Sequence, residues 1–77
     1  MKIDILGTGC AKCKALFEVA KEALAKTGKF AEINKIEDIV EIMSYGVTST
    51  PALVIDGEVK MSGRVPSVDE VVEIINA

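Results

Sequence analysis

The chain has 77 residues, 49% of them hydrophobic but only 4% aromatic, with no tryptophan and a formal net charge of −3. That length holds one domain spanning residues 1–77, and a domain of this size buries only about 60–65% of the surface its unfolded chain exposes, around a core that here must be aliphatic. No apolar run approaches the roughly 18–20 residues of a membrane span, and an acidic chain without a basic stripe lacks the charge on which nucleic-acid binding depends.

The opening segment, Met1 to Gly7, is too short and too interrupted by charge to read as a secretory signal, so a cytoplasmic location is expected. Within it, Ile3-Asp4-Ile5-Leu6 reads as a short strand stopped by Gly7-Thr8-Gly9. Alternation turns Asp4 towards solvent with Lys2, leaving Ile3 and Ile5 for the core. From Ala11 to Thr27 the period becomes helical: Leu16, Val19, Ala20, Ala23 and Leu24 make one apolar stripe, and Lys14, Glu18, Lys21, Glu22 and Lys26 the opposite face. Gly28 stands where a helix C-cap belongs.

Phe30 to Ile36 is a second strand candidate. Glu37 to Tyr45 reads as a short helix with Ile39, Val40 and Met43 on its apolar face, Gly46 as its stop, and Tyr45 packing at its end. A polar loop, Val47-Thr48-Ser49-Thr50-Pro51, follows. Ala52 to Ile55 and Glu58 to Met61 flank Asp56-Gly57, a strong hairpin signal because both central residues of a type I′ turn need positive φ. Finally Ser67-Val68-Asp69-Glu70 has the spacing of a capping box, and Val68, Val71, Val72 and Ile75 form the stripe of a last helix. The order β-α-β-α-β-β-α implies an α/β fold: a parallel pair joined by the first crossover, an antiparallel hairpin, and helices flanking the sheet.

The chain contains two cysteines and no histidine. A secreted disulfide scaffold shows more cysteines, spread along its length, and a bridge between Cys10 and Cys13 would close too short a loop to stabilise the fold appreciably. The pair is therefore read as chemical. Cys10-Ala11-Lys12-Cys13 lies where the first strand's loop meets the long helix, whose first-turn N–H groups lack intrahelical partners and favour an anion. With Lys12 and Lys14 nearby, the Cys10 thiol is expected to titrate towards or below ~7 instead of ~8.5. Cys10 would attack a disulfide; Cys13, one turn further into the helix, would resolve the mixed disulfide. The alternative is a soft-metal module. Two thiolates supply half of a tetrahedral zinc site, with no histidine to complete it, whereas Cu(I) needs fewer ligands. A third reading is an interaction module whose disulfide state alters a partner surface without turnover.

Cys10-Ala11-Lys12-Cys13 after the first strand, together with Thr50-Pro51 immediately before Ala52-Leu53-Val54-Ile55, resembles the thioredoxin superfamily over essentially the whole chain, in particular its small, glutaredoxin-sized redox-active disulfide proteins. The resemblance implies a minimal thioredoxin fold with a four-stranded mixed sheet. It also implies a cis Thr50–Pro51 bond beside the cysteines, a proline ring that helps keep metals off the dithiol, and substrate held by backbone groups near Thr50 and Pro51 as a short added strand. Gly9, Ala11 and Lys12 would line the rim of that cleft and Gly63 its far side. It offers Asp4 a second role, as a buried acid that shuttles the proton of Cys13. Protein disulfides would be the substrates, and a flavin- or ferredoxin-linked disulfide reductase the electron source. No cofactor is implied beyond the Cys10–Cys13 disulfide.

Several family features are missing. The tryptophan and Gly-Pro of typical thioredoxin sites are absent, as is the Pro-Tyr of typical glutaredoxin sites. Gly63-Arg64 offers only one glycine where glutaredoxins carry a Gly-Gly-Asp signature for glutathione, so glutathione is disfavoured and Arg64 is read as a solvated loop charge. Heavy-metal-associated domains also begin a helix with Cys-x-x-Cys, but they run β-α-β-β-α-β and usually place Met where this chain has Thr8.

Overall fold

The computed structural model describes residues 1–9 and 11–77. Its elements are β1 (Lys2–Leu6), α1 (Ala11–Thr27), β2 (Glu32–Ile36), α2 (Ile39–Ser44), β3 (Ala52–Ile55), β4 (Glu58–Ser62) and α3 (Val68–Asn76). Among the described residues the strands form one four-stranded sheet in the order β2-β1-β3-β4. β1 and β2 are parallel, in register from Lys2↔Glu32 to Leu6↔Ile36; a parallel pair needs a long crossover, which α1 supplies. β3 runs antiparallel to β1, with Ile5 opposite Leu53. β4 runs antiparallel to β3 along the free edge, with a register shift between Leu53 and Val54. The architecture is the α/β mixed sheet of a minimal thioredoxin fold.

Each face of the sheet builds its own apolar layer. On one, Ile3, Ile5, Leu53 and Ile55 pack against Leu16, Ala20 and Ala23 of α1 and Val71 and Ile75 of α3. On the other, Leu6, Ala52 and Val54 meet Ile42 of α2, with Ile36, Tyr45, Val47 and Val59 around them. The small side chains Ala20 and Ala23 are wholly buried in α1, where they allow close approach to the sheet without aromatic filling.

This two-sided burial corrects the expectation for Asp4. Alternation sends it to the face opposite Ile3 and Ile5, but that face is covered too, so Asp4 is 1% exposed rather than solvated. It lies opposite Asn34 on β2 and Val54 on β3. The Asn34 side-chain amide donates to Asp4 Oδ1 at 3.4 Å and to Glu32 Oε2 at 2.9 Å.

Three local differences have physical causes. β2 begins at Glu32 rather than Phe30 because its partner strand begins at Lys2; Phe30 projects into solvent, 96% exposed. α2 begins at Ile39 because the Asp38 side chain accepts from the Val40 amide and caps it. Being so short, α2 buries only Ile42, while Ile39, Val40 and Met43, expected as its apolar contact face, stay exposed.

The hairpin turn has Asp56 at φ 50° and Gly57 at φ 83°, the positive pair that a type I′ turn requires. It also closes onto the start of β1. The Asp56 amide donates to the Lys2 carbonyl and the Lys2 amide donates to Asp56 Oδ1, both at 2.8 Å. At the start of α3 the capping box forms as its spacing requires: Glu70 N donates to Ser67 Oγ, and Ser67 N to Glu70 Oε1, each at 3.2 Å. Arg64 is an exposed loop charge, as expected, and its guanidinium also grips the Glu70 carboxylate through both Nη atoms, at 3.2 and 2.7 Å.

Candidate functional site

β1 ends at Leu6 and α1 begins at Ala11, so the chain turns through Gly7, Thr8 and Gly9 into the helix that carries Cys13. Cys10, expected as the nucleophile, lies outside the described residues. Cys13 is buried within the first turn of α1. The first turn of α1 carries no acidic side chain, while Ala11, Lys12 and Lys14 are exposed around it. This is the electrostatic setting in which a helix end favours a thiolate.

Cys13 packs closely on Gly7. A Cβ on residue 7 would overlap Cys13 Sγ, would stand 3.1 Å from Cys13 Cβ, and would touch Thr50 Cβ at 4.0 Å. Gly7 is itself buried, and its amide donates to the Ile36 carbonyl at 2.9 Å, so the backbone there is held. The end of β1, the second cysteine and the loop before β3 therefore converge at one point, and they can do so because residue 7 has no side chain.

Thr50 and Pro51 lead into β3. Their peptide bond is cis. Thr50 is exposed and Pro51 is fully buried. The Gly63 amide donates to the Pro51 carbonyl at 2.9 Å, so that N–H serves the fold and is not offered to a ligand. Gly63 adopts φ +84°, and a Cβ there would press on Ser49 Cβ at 3.3 Å; glycine is required at the rim for both reasons. Asp4 lies within β1, three residues before Gly7, buried beside Asn34.

Two features of the neighbourhood are not apparent from sequence. The carboxylate of Glu37 reaches the loop before the cysteines, with Oε2 3.2 Å from where a Cβ on Gly9 would lie. Next to Thr50 a groove of about 400 Å³ opens, lined by Ile39, Ile42, Met43, Val47, Thr48 and Thr50. The spacing of Ile39, Ile42 and Met43 marks an apolar helix stripe; nothing in it tells that the stripe is left uncovered. Among the described residues, no three His, Cys, Asp or Glu side chains gather as a metal site, and no helix is long and apolar enough to cross a membrane.

Comparison with known proteins agrees with this geometry. A family model described as a thioredoxin domain matches residues 1–76. A thioredoxin of Methanothermobacter thermautotrophicus is 45% identical over 76 residues, covering 99% of both chains. A thioredoxin of Methanocaldococcus jannaschii is 41% identical over 71 residues, 92% of this chain and 81% of its own. A second Methanothermobacter thermautotrophicus protein, a probable thioredoxin, is 34% identical over 70 residues. With a family match over nearly its full length and relatives up to 45% identical covering almost the whole chain, the chain belongs to the thioredoxin family.

Proposed function

We propose that this thioredoxin-family protein is a thiol–disulfide oxidoreductase that reduces protein disulfides with the Cys10–Cys13 dithiol. The observation that carries the reading is the placement of Cys13: buried in the first turn of α1, packed on Gly7, where the loop carrying Thr50 also approaches.

In this scheme Cys10, as thiolate, attacks one sulfur of a substrate disulfide. The S–S bond breaks, the departing sulfur takes a proton, and Cys10 is left in a mixed disulfide. Cys13 gives up its proton and attacks the Cys10 sulfur, releasing the second substrate thiol and forming the Cys10–Cys13 disulfide. Two electrons and two protons have passed to the substrate. A disulfide reductase, flavin- or ferredoxin-linked, returns them. Asp4 is the proposed acceptor of the Cys13 proton, a role that its burial supports. In the proposed scheme backbone groups near the exposed Thr50 and the buried Pro51 hold the substrate segment as an added strand, and Ala11, Lys12 and Gly63 bound the cleft. The electrons reside on the cysteine pair and no further cofactor enters; the reaction suits a reducing, cytoplasmic setting.

A soft-metal module finds no support in the family match, and the element order β-α-β-α-β-β-α places a second helix between β2 and β3, where a heavy-metal-associated domain joins two strands directly. The decisive experiment is trapping: Cys13→Ser is expected to hold substrate proteins as mixed disulfides on Cys10, identified by mass spectrometry and released by dithiothreitol. Recovery of no adduct, with a wild-type protein that also fails to reduce a model disulfide, would overturn the proposal.

A further inference from the structure

A carboxylate reaches the cysteine loop from the C-terminal end of β2. Ile36 closes that strand, and its carbonyl accepts from the Gly7 amide at 2.9 Å, so the segment after β2 is tied to the loop after β1. Two acids follow Ile36, and they are used differently. Asp38 caps α2, its Oδ1 accepting from the Val40 amide at 2.9 Å. Glu37 instead meets the loop: its Oε2 lies 3.2 Å from where a Cβ on Gly9 would stand, and Gly9 is bonded directly to Cys10. Among the described residues no lysine or arginine forms an ion pair with Glu37. The other charges around the loop are cationic or engaged elsewhere. Lys12 and Lys14 are exposed on the first turn of α1, which carries no acid; Asp4 is buried beside Asn34; Arg64 holds Glu70.

We propose, resting on the oxidoreductase reading, that the charge of Glu37 opposes the Cys10 thiolate and thereby makes the reduced pair a stronger electron donor. Glu37 takes no part in bond making; it acts through Cys10. The helix end and the two lysines favour an anion at the nucleophile, and a carboxylate one residue away works against them. Salt weakens such an effect only in part, because charges are screened over about 10 Å at 0.1 M. The thiolate exists only in the reduced pair. Disfavouring it destabilises the dithiol relative to the disulfide, which lowers the reduction potential. Some rate of attack at neutral pH is given up for reducing strength.

The test compares Glu37→Gln and Glu37→Lys with wild type in two measurements, and uses Glu41→Gln as a control that removes one acid from α2. Both positions are solvent-exposed, so these variants retain the fold. The first measurement is alkylation of Cys10 by iodoacetamide across pH, in a Cys13→Ser background so that one thiol reports. At pH 6 the rate is expected to rise about twofold in Glu37→Gln and further in Glu37→Lys, less so in high salt. At pH 9 it is expected to fall slightly below that of the parent, because a more acidic thiol is intrinsically less nucleophilic. The second is the equilibrium of the intact pair with dithiothreitol at pH 7. The constant for reduction of the Cys10–Cys13 disulfide should rise about twofold in Glu37→Gln and more in Glu37→Lys, with Glu41→Gln at the wild-type value. No change in either measurement, an equal response to Glu41→Gln, or faster alkylation at every pH (the mark of a loosened loop) would overturn the proposal and leave the redox reading intact. A wild type whose cysteines form no disulfide at any ratio of oxidised to reduced dithiothreitol would overturn both.

Discussion

The sulfur of Cys13 occupies the space that a Cβ on residue 7 would need, which makes Gly7 and Cys13 a complementary pair. Neither partner can easily withdraw. Gly7 is anchored through its amide to Ile36 at the end of β2, and Cys13 is anchored by the helix that Leu16 and Ala20 pin to the sheet.

Gly7→Ala should consequently cost about 1–3 kcal/mol, the usual range for overfilling a packed site, and should speed alkylation of Cys13 as the first turn of α1 is pushed outwards. Urea unfolding of the single variants and of the Gly7→Ala/Cys13→Ala double variant checks the cause. Removing the sulfur should recover most of the loss, a coupling that simple loss of a flexible glycine would not produce. Strictly additive losses would show that the two residues do not compete for the space.

Asp4→Asn keeps the size of the side chain and its contact with Asn34 but removes the proton-accepting carboxylate. Disulfide reduction at neutral pH is expected to slow about tenfold or more, within the range of positioned acid–base groups, and the pH–rate profile should differ from that of the wild type. A profile identical to wild type would remove Asp4 from the mechanism.

Glu70 provides a stability test that does not touch the dithiol. The hydrogen bond from Arg64, then that from the Ser67 backbone, holds its carboxylate down from 4.5 to about 2; the same pairing raises Arg64. A carboxylate depressed in the folded state stabilises it fully above its unfolded value and loses that contribution as pH falls from about 4.5 through about 2. Glu70→Gln preserves the capping-box hydrogen bonds and should flatten the stability curve over that interval, by a small amount that high salt reduces further because the pair is exposed. Equal slopes for both proteins in low salt would contradict this.

The aliphatic core can be tested by contrast. Leu16 is fully buried between α1 and the sheet, and Leu16→Ala should cost about 2–5 kcal/mol in urea or thermal unfolding. Phe30, by far the larger side chain, is 96% exposed, and Phe30→Ser should change stability by no more than about 0.5 kcal/mol.

Where local chemistry decides an element, the sequence is a reliable guide. The apolar stripe ending at Gly28 marks α1 from Ala11 to Thr27, Asp56-Gly57 places the hairpin, and Ser67 with Glu70 starts α3. Where tertiary context decides, it is not. Whether Asp4 meets water depends on what covers the second face of the sheet, and alternation along β1 cannot report that. The fate of Ile39 and Met43 depends on whether anything packs over α2. The cysteines and Thr50-Pro51 stand out as motifs, but the fit of Gly7 to Cys13 spans a loop and a helix turn. A glycine that ends a strand and a glycine that makes room for sulfur look the same in one dimension.

The burial of β1 on both sides has a consequence for how the strand finds its alignment. In a strand with one wet face, a slip of one residue would put oily side chains in water, and solvation alone would forbid it. β1 has no such safeguard, because Ile3, Ile5 and Leu6 would find hydrocarbon whichever way they turned. Asp4 breaks that ambiguity. Shifted by one position, its polar carboxyl group would point into the layer built by Leu16, Ala20 and Val71, away from the Asn34 amide that donates to it in the native alignment. One acid in the middle of the strand thus tells the chain which side of β1 faces which helix.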